Sequence, residues 1–165
     1  MKASRRAVLI NDEMKAFFES GISVVVGTRD MRLVPEIVRA WGPVVSKDRR
    51  SISLCVPGAA SARTLDNLST IARISVAFTL PTNLQSVQLK GTWIETTEPD
   101  AADLAAVERH RDAFASLNAK IGMPRRVVET FWNRELETST VLLKLRFVPE
   151  QVFNQTPGPD AGSRL

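Results

Sequence analysis

Four short runs of this chain alternate apolar and polar residues with a period of two, and this limits the fold more than any other feature. In 51–57, Ile52, Leu54 and Val56 alternate with Ser51, Ser53 and Cys55. In 74–79, Ile74, Val76 and Phe78 alternate with Ser75, Ala77 and Thr79. In 83–96, Val87, Leu89 and Trp93 share one face, and in the last run Val141, Leu143, Leu145 and Phe147 alternate with Lys144 and Arg146. Successive side chains of a strand point to opposite faces, so each run reads as a strand with one face in a core. Two further strands are expected at 22–28 and 33–46. The second carries Pro35 and Gly42-Pro43, which marks it as an edge, a bulge or a bend, because proline cannot donate to a ladder. The strands do not alternate with helices in a βαβ rhythm, which excludes a doubly wound parallel sheet. Six short strands with tight turns predict a mainly β chain with flanking α (α+β), built on an antiparallel barrel.

Helices fall between and after the strands. Asn11 caps a first helix, with Asp12 and Glu13 at its positive end and Gly21 at its stop. A short helix begins within "PGAASARTLDNL", after its small residues. A long one runs from about Ala101 to Ile121, with Leu104, Val107, Phe114, Leu117 and Ile121 as its apolar stripe. Pro124 opens another, with Val127, Val128, Phe131 and Trp132 on one face. The tail 155–165 is rich in Pro and Gly and reads as irregular.

Composition narrows the function classes. The 165 residues suit one domain over 1–165, and 44% hydrophobic with 24% charged residues is ordinary for a soluble globular chain. The net charge is +4, but the basic residues form no block, which argues against nucleic acid. One cysteine, Cys55, and one histidine, His110, leave no metal site and no internal disulfide. No apolar run is long enough to span a membrane and no secretory leader is expected, so the protein reads as cytoplasmic.

The small residues Gly58 to Ala62 lead directly to Arg63 at the mouth of the short helix. A helix N-terminus offers backbone N–H groups and a favourable dipole to an anion, and a guanidinium adds charge-assisted bonds. A solvent-facing Arg63 paired with Asp66 explains the residue equally simply. Arg39 reads as a second anion ligand or as an outward charge that blunts an edge strand. Arg125 and Arg126 oppose the dipole of their helix and are expected to be solvated. Trp41 and Trp132 suit ligand stacking, or a core or interface anchor. His110 and Cys55 read as structural, and no catalytic acid, base or nucleophile stands out. The polar strand faces Ser51/Ser53/Cys55 and Ser86/Gln88/Lys90 need water or a partner.

The order of elements, with "SARTLDNLSTIARISVAF", "SVQLKGTWIE" and "FVPEQVFNQTPGP", resembles the pyridoxamine 5'-phosphate oxidase-like FMN-binding split-barrel family from about Asp12 to Phe153. The resemblance implies a homodimer holding FMN between subunits and oxidoreductase chemistry on a small-molecule substrate. Arg39, Ser61, Arg63 and Thr64 fall where the family grips the flavin phosphate. Gln85, Ser86 and Gln88 fall where it contacts the ring, and Trp132 is a further cofactor contact. Where the family often has a lysine and a second base, this chain has Val44 and Thr64. The C-terminal arginine and histidine of the oxidase are missing, so the resemblance does not extend to pyridoxamine phosphate oxidation. A non-catalytic module carrying a flavin, deazaflavin or haem is the alternative on the same fold.

Overall fold

A computed structural model describes residues 7–130 and 141–165. Six strands, β1 (Ser23–Arg29), β2 (Pro35–Val45), β3 (Ile52–Pro57), β4 (Arg73–Thr79), β5 (Ser86–Thr97) and β6 (Leu142–Asn154), close into a barrel in the order β1-β2-β3-β6-β5-β4. Every pairing is antiparallel. The expected alternation is the reason for closure. Val24, Val26, Val38, Ala40, Ile52, Leu54, Val56, Ile74, Val76, Phe78, Leu89, Leu145 and Phe147 all turn inward and form one buried cluster. Closing the sheet leaves no edge on which such a row would stay wet.

β2 is therefore no edge strand. It pairs with β1 on one side and β3 on the other. Its prolines sit where a ladder donor is dispensable: Pro35 opens the strand, and Gly42-Pro43 occupies the irregularity between Trp41 and Val44. The tail is also more ordered than its composition implies. Phe153 bridges Arg164 in antiparallel fashion, Asn154 donates to the Ser163 carbonyl, and Leu165 donates to the Val152 carbonyl.

Helix α1 (Asp12–Phe18) starts at Asn11, whose side chain accepts from the Met14 amide at 2.8 Å. It sets Phe18 into the barrel end against Phe78, with ring centroids 4.3 Å apart. A 3-10 turn (Ala59–Ser61) leads into α2 (Ala62–Ile71), which buries Leu68 and packs on β1 and β2. Helix α3 (Ala101–Ala119) lies across β2 and starts with a capping box between Asp100 and Asp103. Residues 125–130 are helical. Phe131 and Trp132 lie outside the described residues.

The buried face of α3 differs from the expected stripe. Leu104 and Ile121 are exposed, while Asp103, Ala106, Val107, His110, Arg111, Ala115 and Asn118 are buried. The helix packs backbone-close, so small and hydrogen-bonded residues fit where leucine would not. Two glycines make this approach possible. A Cβ on Gly42 (φ +58°) would lie 2.7 Å from the Val107 nitrogen, and one on Gly21 (φ +72°) would lie 2.3 Å from the Ala113 Cβ. Both also hold the left-handed backbone that favours glycine. No helix among the described residues is long and apolar enough to cross a membrane.

Candidate cofactor-binding face

The outward residues of β2, β1, β4 and β5 fall into cross-strand rows. Val25 pairs with Arg39 and with Ala77, and Ala77 pairs with Gln88. One row therefore runs Arg39, Val25, Ala77, Gln88. The next runs Ile37, Gly27, Ser75, Lys90, and beyond the first lies Ser23, Thr79, Ser86. Small side chains form the centre, so the face is nearly flat there. Polar groups stand at both ends, three strand spacings apart, or about 14 Å. Ile37 is 70% exposed, and Met31, Leu33 and Val34 on the neighbouring turn are also exposed.

Three of the expected site residues thus share one face: Arg39, Ser86 and Gln88. The Arg39 guanidinium lies 5.8 Å from the Trp41 ring centroid and 5.7 Å from that of Phe114, and donates to Ser23 Oγ at 3.5 Å. These rings fix the stem and head of Arg39 beside the open face. Gln88 Nε2 donates to Ser75 Oγ at 2.9 Å, and its Oε1 accepts from Gln155 Nε2 at 3.1 Å. Ser86 is buried, and its hydroxyl bonds Thr79 Oγ1 and the Leu84 carbonyl. Gln85 stands apart from the rows and lines an apolar pocket with Phe17, Phe18, Val152 and Leu165.

The other three lie around the start of α2. Arg63 is largely exposed and reaches Glu36 of β2 at 3.4 Å rather than Asp66. Ser61 is buried and donates to the Pro57 carbonyl at 2.6 Å. Thr64 is fully buried, and its Oγ1 has no partner among the described residues. Glu36 stands three residues before Arg39 on β2, so one strand links the two groups.

Several alternatives resolve as packing. Trp41 is buried against Cys55, Val107 and Ala115. The Cys55 thiol is pushed up to about 12, first by burial and then by the nearby Asp103 carboxylate, so it stays protonated and unreactive. His110 is buried beneath α3 rather than at its rim, and burial lowers it to about 4. Lys144, at 2.7 Å from Asp103, is raised by that hydrogen bond. Arg125 pairs with Asp112 and, at 2.7 Å, with Glu129, which offsets its cost at a helix start. Of the two polar strand faces, Ser51, Cys55 and Ser86 are buried, Gln88 is half-buried and Lys90 is exposed. Among the described residues no group of His, Cys, Asp or Glu could hold a metal. Gly27, Ser75 and Gln155 were not singled out as site residues. The phase of β4 was visible in the sequence, but the register joining β1 to it was not.

No protein-family model and no curated protein matches the chain. Solved structures do. An F420 reductase has a TM-score of 0.54 at 10% identity, covering 84% of this chain and 94% of its own. HupZ of Group A Streptococcus has a TM-score of 0.51 at 19% identity, covering 93% and 99%. A Clostridium acetobutylicum protein related to general stress protein 26, of the pyridoxinephosphate oxidase family, has a TM-score of 0.50 at 18% identity, covering 85% and 83%. The class is thus an antiparallel six-stranded split barrel. Within that class, the fold is the pyridoxamine 5'-phosphate oxidase-like one.

Proposed function

We propose that this chain is a flavin-binding protein, with FMN as the cofactor and oxidoreductase chemistry on a small-molecule substrate, acting as a homodimer with the cofactor at the subunit interface. The row Arg39–Val25–Ala77–Gln88 carries the reading: a flat apolar centre between a fixed cation and a primary amide suits a planar heteroaromatic ring. Gln88 supplies a donor and an acceptor at a ring edge, and Gln155 and Ser75 hold its amide in one orientation. Arg39 and Arg63 share the phosphate charge, with Glu36 also engaging Arg63. The Thr64 hydroxyl is a spare hydrogen-bonding group in the first turn of α2. A bound flavin supplies hydride or electron transfer, while the protein supplies orientation and electrostatics.

The exposed Met31, Leu33, Val34 and Ile37 form an apolar patch beside this face, and a second copy would cover it. A single reduced cysteine is consistent with the cytoplasm. An F420 reductase of the same fold makes a deazaflavin the second candidate. Haem ranks below both, because His110 is buried and bonded to the Ile22 carbonyl. The test is the visible spectrum of the purified protein after incubation with FMN and desalting, repeated with Arg39→Ala. Retained flavin that the variant loses supports the reading; a protein that never retains flavin refutes it.

A further inference from the structure

The same sheet carries a second feature at the opposite end of β1. A trough of about 420 Å³ is bounded by Gly27 and Arg29 of β1, Arg73 and Ser75 of β4, Lys90 of β5, Leu33 of the β1–β2 turn and Pro35 at the start of β2. Gly27 makes the depression, since it pairs with Ser75 and leaves no side chain between Ile37 and Ser75. Arg29 and Lys90 stand two strands and one row apart, about 12 Å between backbone positions, with Arg73 on the strand between them.

The charges around the trough do not cancel. Glu150 takes Arg73 at 3.0 Å, and Thr92 bonds both, which holds the guanidinium in place. Asp30 is engaged by Arg32 and by the Arg32 and Val34 amides. Arg29 reaches only the Asp30 carbonyl, and Lys90 sits 4.7 Å from the Phe153 ring centroid. Neither has a carboxylate partner among the described residues. Two uncompensated cations therefore face one apolar-walled depression, beside the Ser75 hydroxyl and a third cation already fixed. That arrangement attracts a compact group with two negative charges more than a single carboxylate.

We infer that the trough between Arg29, Arg73 and Lys90 binds the dianionic group of a small molecule, a phosphomonoester or a dicarboxylate. The inference rests on the trough, which borders the proposed flavin row and shares Ser75 with it. The group belongs either to a substrate or to the cofactor's own phosphate, and the experiment separates these sources.

Inorganic phosphate is titrated into the 15N-labelled protein at constant ionic strength, with chloride as control. Saturable shifts at the Gly27, Arg29, Ser75 and Lys90 amides are expected, distinct from any at Arg39 and Arg63. The Arg29→Gln, Lys90→Gln double variant, which removes only exposed cations, should weaken binding at these amides at least tenfold, and Arg126→Ala, which removes an exposed cation elsewhere, should leave it unchanged. Shifts that are linear and spread over the surface, a double variant that titrates like the parent, or loss of binding at these amides in Arg126→Ala would overturn the inference. Repeating the titration with FMN present assigns the source. Competition makes the trough the cofactor's phosphate seat, and simultaneous binding makes it a substrate site.

Discussion

His110 Nε2 lies 2.9 Å from the carbonyl oxygen of Ile22, so α3 is tied to the residue that leads into β1. The contact is buried, and the ring also meets Trp41 edge-on at a centroid distance of 5.7 Å. With Nε2 donating, Nδ1 is left bare and has no partner among the described residues. The neutral ring suits this site, because burial first, and then the Arg39 charge, oppose protonation.

This relationship sets a pH dependence. Burial lowers His110 from 6.5 to about 4. Between those values the unfolded chain binds the proton and the folded chain does not, so stability falls as pH drops from about 6.5 toward 4. Below about 4 this contribution is fully lost, and above 6.5 it is fully present. Urea unfolding at pH 7.5 and 4.5 should show a loss of up to about 3 kcal/mol from this group. His110→Gln removes the titration, so its own loss over the same range should be smaller by that amount.

The close approach of α3 predicts a contrast between two glycines. Gly42→Ala must place a Cβ 2.7 Å from the Val107 nitrogen at φ +58°, whereas Gly122 has φ +84° and nothing within 4 Å. The left-handed backbone alone costs about 1–2 kcal/mol, and overpacking adds about 1–3 kcal/mol. Gly42→Ala should therefore lower Tm clearly more than Gly122→Ala. Equal losses in thermal unfolding would mean that α3 does not press on β2 at this point.

The orphan hydroxyl of Thr64 separates a structural role from a binding role. Replacing a buried, unpaired hydroxyl with a methyl group of similar shape is neutral or stabilising. Thr64→Val should keep or raise the Tm of the cofactor-free protein while weakening FMN binding severalfold. A variant that binds FMN as the parent does removes Thr64 from the phosphate seat.

The Glu36–Arg63 pair predicts the opposite change. Arg63 is largely exposed, so the pair is worth no more than about 1 kcal/mol. Glu36→Gln should free the guanidinium and tighten FMN binding by up to about fivefold. Riboflavin, which lacks the phosphate, should bind both proteins alike. Fluorescence titration with the two flavins reads this directly.

The barrel was legible because its strands alternate: the inward residues of β3, β4 and β6 follow from period two alone. Phase along α3 was not legible. Its buried face carries Asp103, His110 and Arg111, each of which finds a hydrogen-bonding partner, whereas Leu104 remains exposed. A hydrophobic stripe misreads a helix whose contact is set by glycines on another element. Arg39, Ser86 and Gln88 were legible as candidates, but their common face depends on strand register. The partner of Arg63 was not legible at all, because Glu36 is distant in sequence and Asp66 is near.

Retention of FMN by the purified protein after desalting, with Arg39→Ala beside it, tests the central claim most directly. The proposed site predicts a flavin spectrum in the parent that is lost in the variant, whose Tm without cofactor stays close to the parent's. A folded parent that retains neither FMN nor a deazaflavin would contradict it.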